Sequence, residues 1–292
     1  MPNHLELPSA ILENDQIRLE YLTSAGPRIV GLSYRGSPNL LADVSDVVVD
    51  TPNGGYALIG GHRLWIAPES LEKTYVPDAS GLTVRVIPNG VELTGASETV
   101  SGVRKSVRIE LDPDAPSLRL VHTIVNEHTG PLNLAPWAIT QFSLGGTVLL
   151  PQPVGNTDPS GLLSNRLLVL WPYTRLQDLR LSLRDDVILV AAQAALPPMK
   201  IGYASKAGWL AYWWNGILFR KSFGYHAGTL YPDGGCNAEV YCCDRFVELE
   251  SLGELGPLAP GQAVQLTETW ELYPGLDVPF IPAQIQDLLL KK

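Results

Sequence analysis

Two stretches of this 292-residue chain carry side chains suited to moving protons. Residues 60–65 read Gly-Gly-His-Arg-Leu-Trp, an imidazole, a guanidinium and an indole behind two flexible glycines. Residues 246–251 read Phe-Val-Glu-Leu-Glu-Ser, so Phe246, Glu248 and Glu250 share one face of an extended strand. Two carboxylates on one strand face are costly inside a plain apolar core. A carboxylate and a histidine near neutral pH suit general acid and base work. In a regular strand His62 and Leu64 face one way and Arg63 and Trp65 the other. All four line one pocket only if a bulge at Gly60-Gly61 re-aims them.

Further polar groups sit within apolar strands. Glu239 in Cys-Asn-Ala-Glu-Val-Tyr is a third candidate carboxylate and a hydrogen-bond acceptor. Gln141 shares a strand face with Trp137 and Ile139 and is placed to hydrogen-bond a hydroxyl. Lys200 and Lys221 are cations in mostly apolar strands, which suggests an anionic ligand group such as a uronate carboxylate or a phosphate. His122 alternates with Leu118, Leu120 and Ile124, the pattern of a sheet-face or core histidine. His128 falls in a turn, and His226 on a glycine-rich loop of the kind that often carries function. Cys236, Cys242 and Cys243 are odd in number and lack a Cys-x-x-Cys pair, so they read as free thiols rather than a disulfide or zinc set. No metal constellation emerges, and no cofactor is expected.

The elements that position these groups are strands. IRLEYL (17–22), LTVRVIP (82–88), SVRIEL (106–111), SLRLVHTIV (117–125) and AVQLTETWELY (263–273) alternate apolar with polar residues between turn formers. The Asn89-Gly90 pair between two such runs is a strong hairpin signal. Helical periodicity is scarce: RLQDLRLSL (175–183) is ambiguous, and PAQIQDLLLKK (282–292) reads as a short helix or a tail. The Pro-rich PQPVGNTDPSG (151–161) reads as a long loop, and one domain over residues 1–292 is expected. The fold class predicted is all-β, with two large antiparallel sheets stacked face to face. With 45% apolar and 17% charged residues the chain can bury a sizeable core. A net charge of −9 without a basic run argues against nucleic acid and against an anionic membrane surface. The N-terminus lacks a signal-like apolar run, which points to the cytoplasm.

Read in order, three segments carry a family resemblance: ILENDQIRLEYLTSAGPRIVGLSYRGSPNLLAD (11–43), GPLNLAPWAITQF (130–142) and RFVELESLGELGPLAPGQAVQLTETWEL (245–272). Together they resemble the galactose mutarotase-like (aldose 1-epimerase-like) superfamily. GGHRLWIAPE (60–69) and PWAITQFSLGG (136–146) are similar to a bacterial branch of it. The resemblance implies a β-supersandwich with a sugar site in the concave face of one sheet. It implies acid/base chemistry on a monosaccharide ring, with the base on the penultimate strand. That base is Glu250, with Glu248 and Glu239 as alternatives. Trp137 falls where the family carries its catalytic histidine, and an indole donates a hydrogen bond but no proton at useful pH. His62 is then the remaining acid, with His226 in reserve. Trp137 can still stack on the apolar face of a pyranose. Arg63, Trp65, Trp137, Gln141, Lys221 and Glu239 are the expected sugar contacts. The departure at Trp137 keeps a second reading open, a sugar-binding or sensor protein without catalysis.

Overall fold

The computed structural model describes residues 7–276; the 282–292 stretch lies outside the described residues. Most of the described strands fall in two ten-stranded antiparallel sheets. Sheet I runs in the order β1 (Ser9–Glu13), β2 (Ile17–Leu22), β3 (Arg28–Tyr34), β6 (His62–Ala67), β11 (Leu132–Phe142), β20 (Val247–Leu252), β19 (Ala238–Cys242), β16 (Met199–Tyr203) and β13 (Leu168–Leu170), with β21 (Gly256–Leu258) paired to β11. Sheet II runs β14 (Leu181–Leu183), β15 (Val187–Ala191), β12 (Thr147–Pro151), β17 (Trp209–Trp214), β18 (Ile217–Phe223), β22 (Ala263–Pro274), β10 (Ser117–Asn126), β9 (Val103–Leu111), β8 (Gly90–Glu98) and β7 (Thr83–Ile87). A separate hairpin joins β4 (Asp43–Thr51) to β5 (Gly54–Gly60). No helix occurs among the described residues, and none is long and apolar enough to cross a membrane.

The period-two patterns become these strands because alternate side chains enter the layer between the sheets. In β9 every second residue from Val103 to Leu111 is buried. In β10 Leu118, Leu120, His122 and Ile124 point inward while Arg119 stays exposed. The predicted hairpin forms between β7 and β8, with Ile87 opposite Gly90 and Asn89 at φ 52° in the turn. The ambiguous 175–183 stretch is turn followed by the short strand β14.

Inward residues of both sheets merge into one apolar cluster, including Leu19, Ile66, Ala138, Phe142, Leu249, Phe219 and Trp270. A second cluster lies on the other face of sheet I, where Trp65, Trp137, Ile139, Phe246 and Leu252 pack under Val44, Tyr56 and Leu58 of the hairpin. Sheet I is therefore covered on both faces, and near-continuous burial along β6 and β11 follows from that. The glycines before His62 answer to geometry. Gly60 and Gly61 have φ of 104° and 66°, and a Cβ on either would meet a carbonyl oxygen, of Ala42 or Ile29, at 2.0 Å. Only glycine fits where the hairpin folds back against sheet I.

Candidate functional site

Five neighbouring strands of sheet I set the candidate site: β6, β11, β20, β19 and β16. Register aligns its side chains in rows across the sheet. Gln141 stands opposite Glu248, Glu248 opposite Tyr241, and Tyr241 opposite Lys200. In the next row Arg63 stands opposite Ile139, Ile139 opposite Glu250, and Glu250 opposite Glu239. Trp65 faces Trp137 in a third. All project away from sheet II, since the intervening Ala138, Leu249 and Val240 belong to the interlayer core.

A cavity of about 200 Å³ opens over these rows. Its wall includes Arg63, Trp65, Trp137, Lys200, Tyr241, Phe246 and Glu248 from sheet I and the turn before β20. Val49 and Leu58 of the hairpin, and Glu69, Tyr75 and Tyr173 from loops, close the rest. Arg63 donates to Glu248 Oε1 over 3.0 Å while its guanidinium lies 4.2 Å from the Trp65 ring centre. Gln141 Nε2 donates to the same oxygen over 2.9 Å. Burial pushes the Glu248 carboxyl up to about 7, with Glu250 adding to the rise and Arg63 opposing it. Glu248 therefore exchanges a proton near neutral pH.

Glu250 and Glu239 lie deeper. Glu250 is fully buried, accepting from Trp137 Nε1 at 2.7 Å and from Lys200 Nζ at 2.9 Å. Lys200 Nζ also lies 2.8 Å from Glu239 Oε2, between the rings of Trp137 and Trp171. Burial alone would lower the Lys200 ammonium, but Glu250 and Glu239 hold it well above the ordinary lysine range. Burial drives Glu239 well above the ordinary carboxylate range despite Lys200. One ammonium between two buried carboxyls favours a proton on Glu239, leaving a neutral Lys200–Glu250 pair. Gly202 makes room for this cluster, because a Cβ there would meet Cys236 Sγ at 2.7 Å and Glu239 Cγ at 3.2 Å.

The expected pairing of His62 with Glu250 across one cavity is not formed. The strand alternates regularly, so His62 enters the interlayer while Arg63 faces the cavity. His62 Nε2 lies 2.7 Å from His122 Nε2, and its Nδ1 3.0 Å from Thr140 Oγ1. His122 Nδ1 lies 3.0 Å from Leu266 O. A carbonyl only accepts, so His122 carries hydrogen on Nδ1 and accepts at Nε2 from His62, whose Nδ1 then accepts from Thr140. Burial, with His122 and Lys221 adding to it, keeps His62 well below its ordinary value. Burial likewise lowers His122. Lys221, expected at the sugar site, is also interlayer. It is fully buried, 3.0 Å from Glu268 Oε1, and it donates to Leu249 O at 3.1 Å and Thr140 Oγ1 at 3.2 Å. Glu268 further accepts from Ser251 and from Trp270 Nε1.

By ligand type His62, His122 and Glu268, within 4.8 Å of one another, could hold a metal. Lys221 already supplies the charge that neutralises Glu268, and a divalent ion beside that ammonium would leave net positive charge in an apolar layer.

Of the residues singled out from sequence, Arg63, Trp65 and Trp137 wall the cavity. Gln141, Glu239 and Glu250 support it from beneath, and Glu248 replaces Glu250 at the wall. His226 is exposed beside Glu254, lining a different cleft. His128 is exposed, and all three cysteines are free and buried. Both lysines that suggested an anionic ligand are paired with carboxylates. Tyr75, Tyr173 and Glu69 went unread because they arrive on loops without periodicity. Glu268 had a signal, a carboxylate between Leu266 and Trp270 on the apolar face of an alternating strand.

No protein-family model matches the sequence, and a search of curated proteins finds no relative. Solved structures do match. A putative aldose 1-epimerase from Escherichia coli K12 superposes with TM-score 0.58 over 92% of this chain and 99% of that one, at 12% identity. One from Klebsiella pneumoniae gives 0.59 over 95% and 80% at 10% identity. A galactose mutarotase-like protein from Lactobacillus casei gives 0.55 over 91% and 100% at 10% identity. The fold is the galactose mutarotase-like β-sandwich. At such identities the likeness is one of fold, and the chemistry of this chain has to be argued from its own side chains.

Proposed function

We propose that the protein binds a monosaccharide ring in the cavity over Arg63, Trp65 and Trp137 and isomerises it by acid/base chemistry, with Glu248 as a proton-carrying group. The observation that carries this reading is the Glu248 carboxyl, poised at about 7 in an aromatic cavity between Arg63 and Gln141. A group with that value is available in both protonation states at neutral pH, which general acid–base catalysis rewards. The lining suits a sugar: indole and phenol rings for its apolar face and fixed polar groups for its hydroxyls. Arg63 Nε and Nη1, Gln141 Oε1 and Glu250 Oε1 are buried without hydrogen-bond partners, a surplus that ligand hydroxyls or ordered water would satisfy. With Lys200 already paired, an uncharged ring is favoured over a phosphate or uronate.

In a mutarotase- or epimerase-type reaction the proton on O1 is taken, O5 is protonated, the C1–O5 bond opens, and closure on the other face gives the other anomer. The test is magnetisation transfer between anomers of free aldoses by NMR. Wild type should accelerate exchange, and Glu248→Gln should lower the catalysed rate by about 10²–10⁴ while keeping sugar affinity. A second reading, a sugar-binding protein without turnover, is favoured by Trp137 at the position the family resemblance gives to histidine. Saturable sugar binding without any catalysed exchange would establish that reading instead.

A further inference from the structure

Ring opening needs a second group to take the O1 proton while O5 receives one, and Glu248 can fill only one role at a time. Arg63 does not give up its proton, Lys200 is clasped by two carboxyls, and both interlayer histidines face away from the cavity. Three phenols, Tyr75, Tyr173 and Tyr241, also stand on the cavity wall, and Tyr75 is the one whose hydroxyl donates to a carboxylate, Glu69 Oε1 at 2.5 Å. We propose that Tyr75, backed by Glu69, is the second proton-carrying group, working across the cavity from Glu248. The proposal rests on the isomerase reading above and names the other half of its chemistry.

The pair is held in place from both sides. The Tyr75 ring packs against Trp65 at 4.4 Å between centres and edge-on to Tyr56 at 5.6 Å. Its neighbour Thr74 is fully buried, donating through its hydroxyl to Ile66 O at 3.1 Å and accepting from Ser70 N at 2.9 Å. Those bonds close the turn that brings Glu69 and Tyr75 together. The backbone N–H of Thr74 closes it further on Ser70 O at 2.9 Å. Glu69 is exposed at the rim of the cavity.

The step balances without a free tyrosinate. The O1 proton passes to the Tyr75 oxygen as the Tyr75 proton passes to Glu69. The O1 electron pair forms the C1=O1 bond, the C1–O5 bond breaks, and O5 takes the proton from Glu248. Reclosure runs the same transfers backwards on the other face of C1. Burial, Glu69 and the charge of Glu248 all push the Tyr75 phenol up, which fits a group that relays a proton and does not store the charge. Tyr75 and Glu248 line the same cavity.

The experiment is anomer exchange with wild type, Tyr75→Phe, Glu69→Gln and the double variant, with kcat and KM separated. Phenylalanine preserves the ring packing, so folding is retained. Tyr75→Phe should lower kcat about 100-fold or more with KM little changed. Glu69→Gln should lower kcat about tenfold or more, also with KM unchanged. The double variant should be no slower than Tyr75→Phe, because two groups in one relay are not additive. A Tyr75→Phe variant with wild-type kcat and a raised KM would leave Tyr75 as a stacking surface and overturn the proposal alone. Additive losses would overturn the relay as well. A wild type that binds sugar without exchanging its anomers would overturn the isomerase reading, and this proposal with it.

Discussion

The layers on the two sides of sheet I hold similar side chains and treat them oppositely. Toward sheet II, Lys221, Glu268, His62 and His122 form a network in which every side-chain nitrogen and oxygen has a partner. Toward the cavity, Arg63, Gln141, Glu239 and Glu250 each retain a buried polar atom without a hydrogen bond. A polar cluster that closes on itself is a structural tie, whereas one that stays open is prepared for something else to complete it. The Lys221 network ties β11, β20 and β22 together under the site: its ammonium reaches backbone carbonyls of Ala138 and Leu249, the residues preceding Ile139 and Glu250. The closed face thus holds the strands from which the open face projects.

The contrast breaks most visibly at the lysine. Lys221→Met should cost about 3–5 kcal/mol of unfolding free energy in a urea titration, because Glu268 is left buried without its counter-charge. Pairing it with Glu268→Leu should recover much of that loss. Arg63→Met on the open face should cost far less below neutral pH, since Glu248 then takes up a proton. Equal losses from Lys221→Met and Arg63→Met would erase the distinction between the faces.

Glu248 sharpens it through pH. Its carboxyl lies at about 7 in the folded protein against the ordinary 4.5. Below the lower value both folded and unfolded states hold the proton, and stability is complete. As pH rises toward the higher value the unfolded chain releases the proton first, and folding loses stability. Integrated, the loss is about 3 kcal/mol once pH exceeds the folded value. Glu248→Gln removes it, so the variant should match wild type near pH 4 and become the more stable protein above pH 7, as read from unfolding midpoints across that range. A difference that is flat with pH would show that Glu248 is not held in the apolar setting described above.

Much of this architecture was legible. Alternation in β9, β10 and β22 specified half-buried antiparallel strands, and the ordered resemblance specified the sandwich. Alternation also set Arg63 and Trp65 opposite His62. What it could not supply was the side of the sheet on which the site would stand, because both faces of β6 and β11 are buried and neither shows the polar face that marks solvent. His62 was therefore assigned by residue type rather than by direction. The choice between Glu248 and Glu250 was equally invisible: both point the same way, and only Lys200 and Trp137, which stand on the cavity wall and hold Glu250 behind it, decide which one is covered. Tyr75 and Glu69 lie on a loop whose path follows from Thr74 and Ser70, contacts that periodicity does not encode.

The smallest expected effect separates two uses of Trp137. Its indole N–H donates to the buried Glu250 carboxylate at 2.7 Å, and its ring stands on the cavity wall against Trp65. Trp137→Phe keeps an aromatic face and removes the donor. Lys200 still neutralises Glu250, so the loss is that of one hydrogen bond to a charged group, about 2 kcal/mol. Thermal unfolding should shift down accordingly while sugar affinity, measured by titration calorimetry, stays within a few-fold of wild type, since a phenyl ring retains most of the stacking surface. If affinity collapses while stability holds, the indole N–H is turned to ligand in the complex, and the tie to Glu250 is one the sugar replaces.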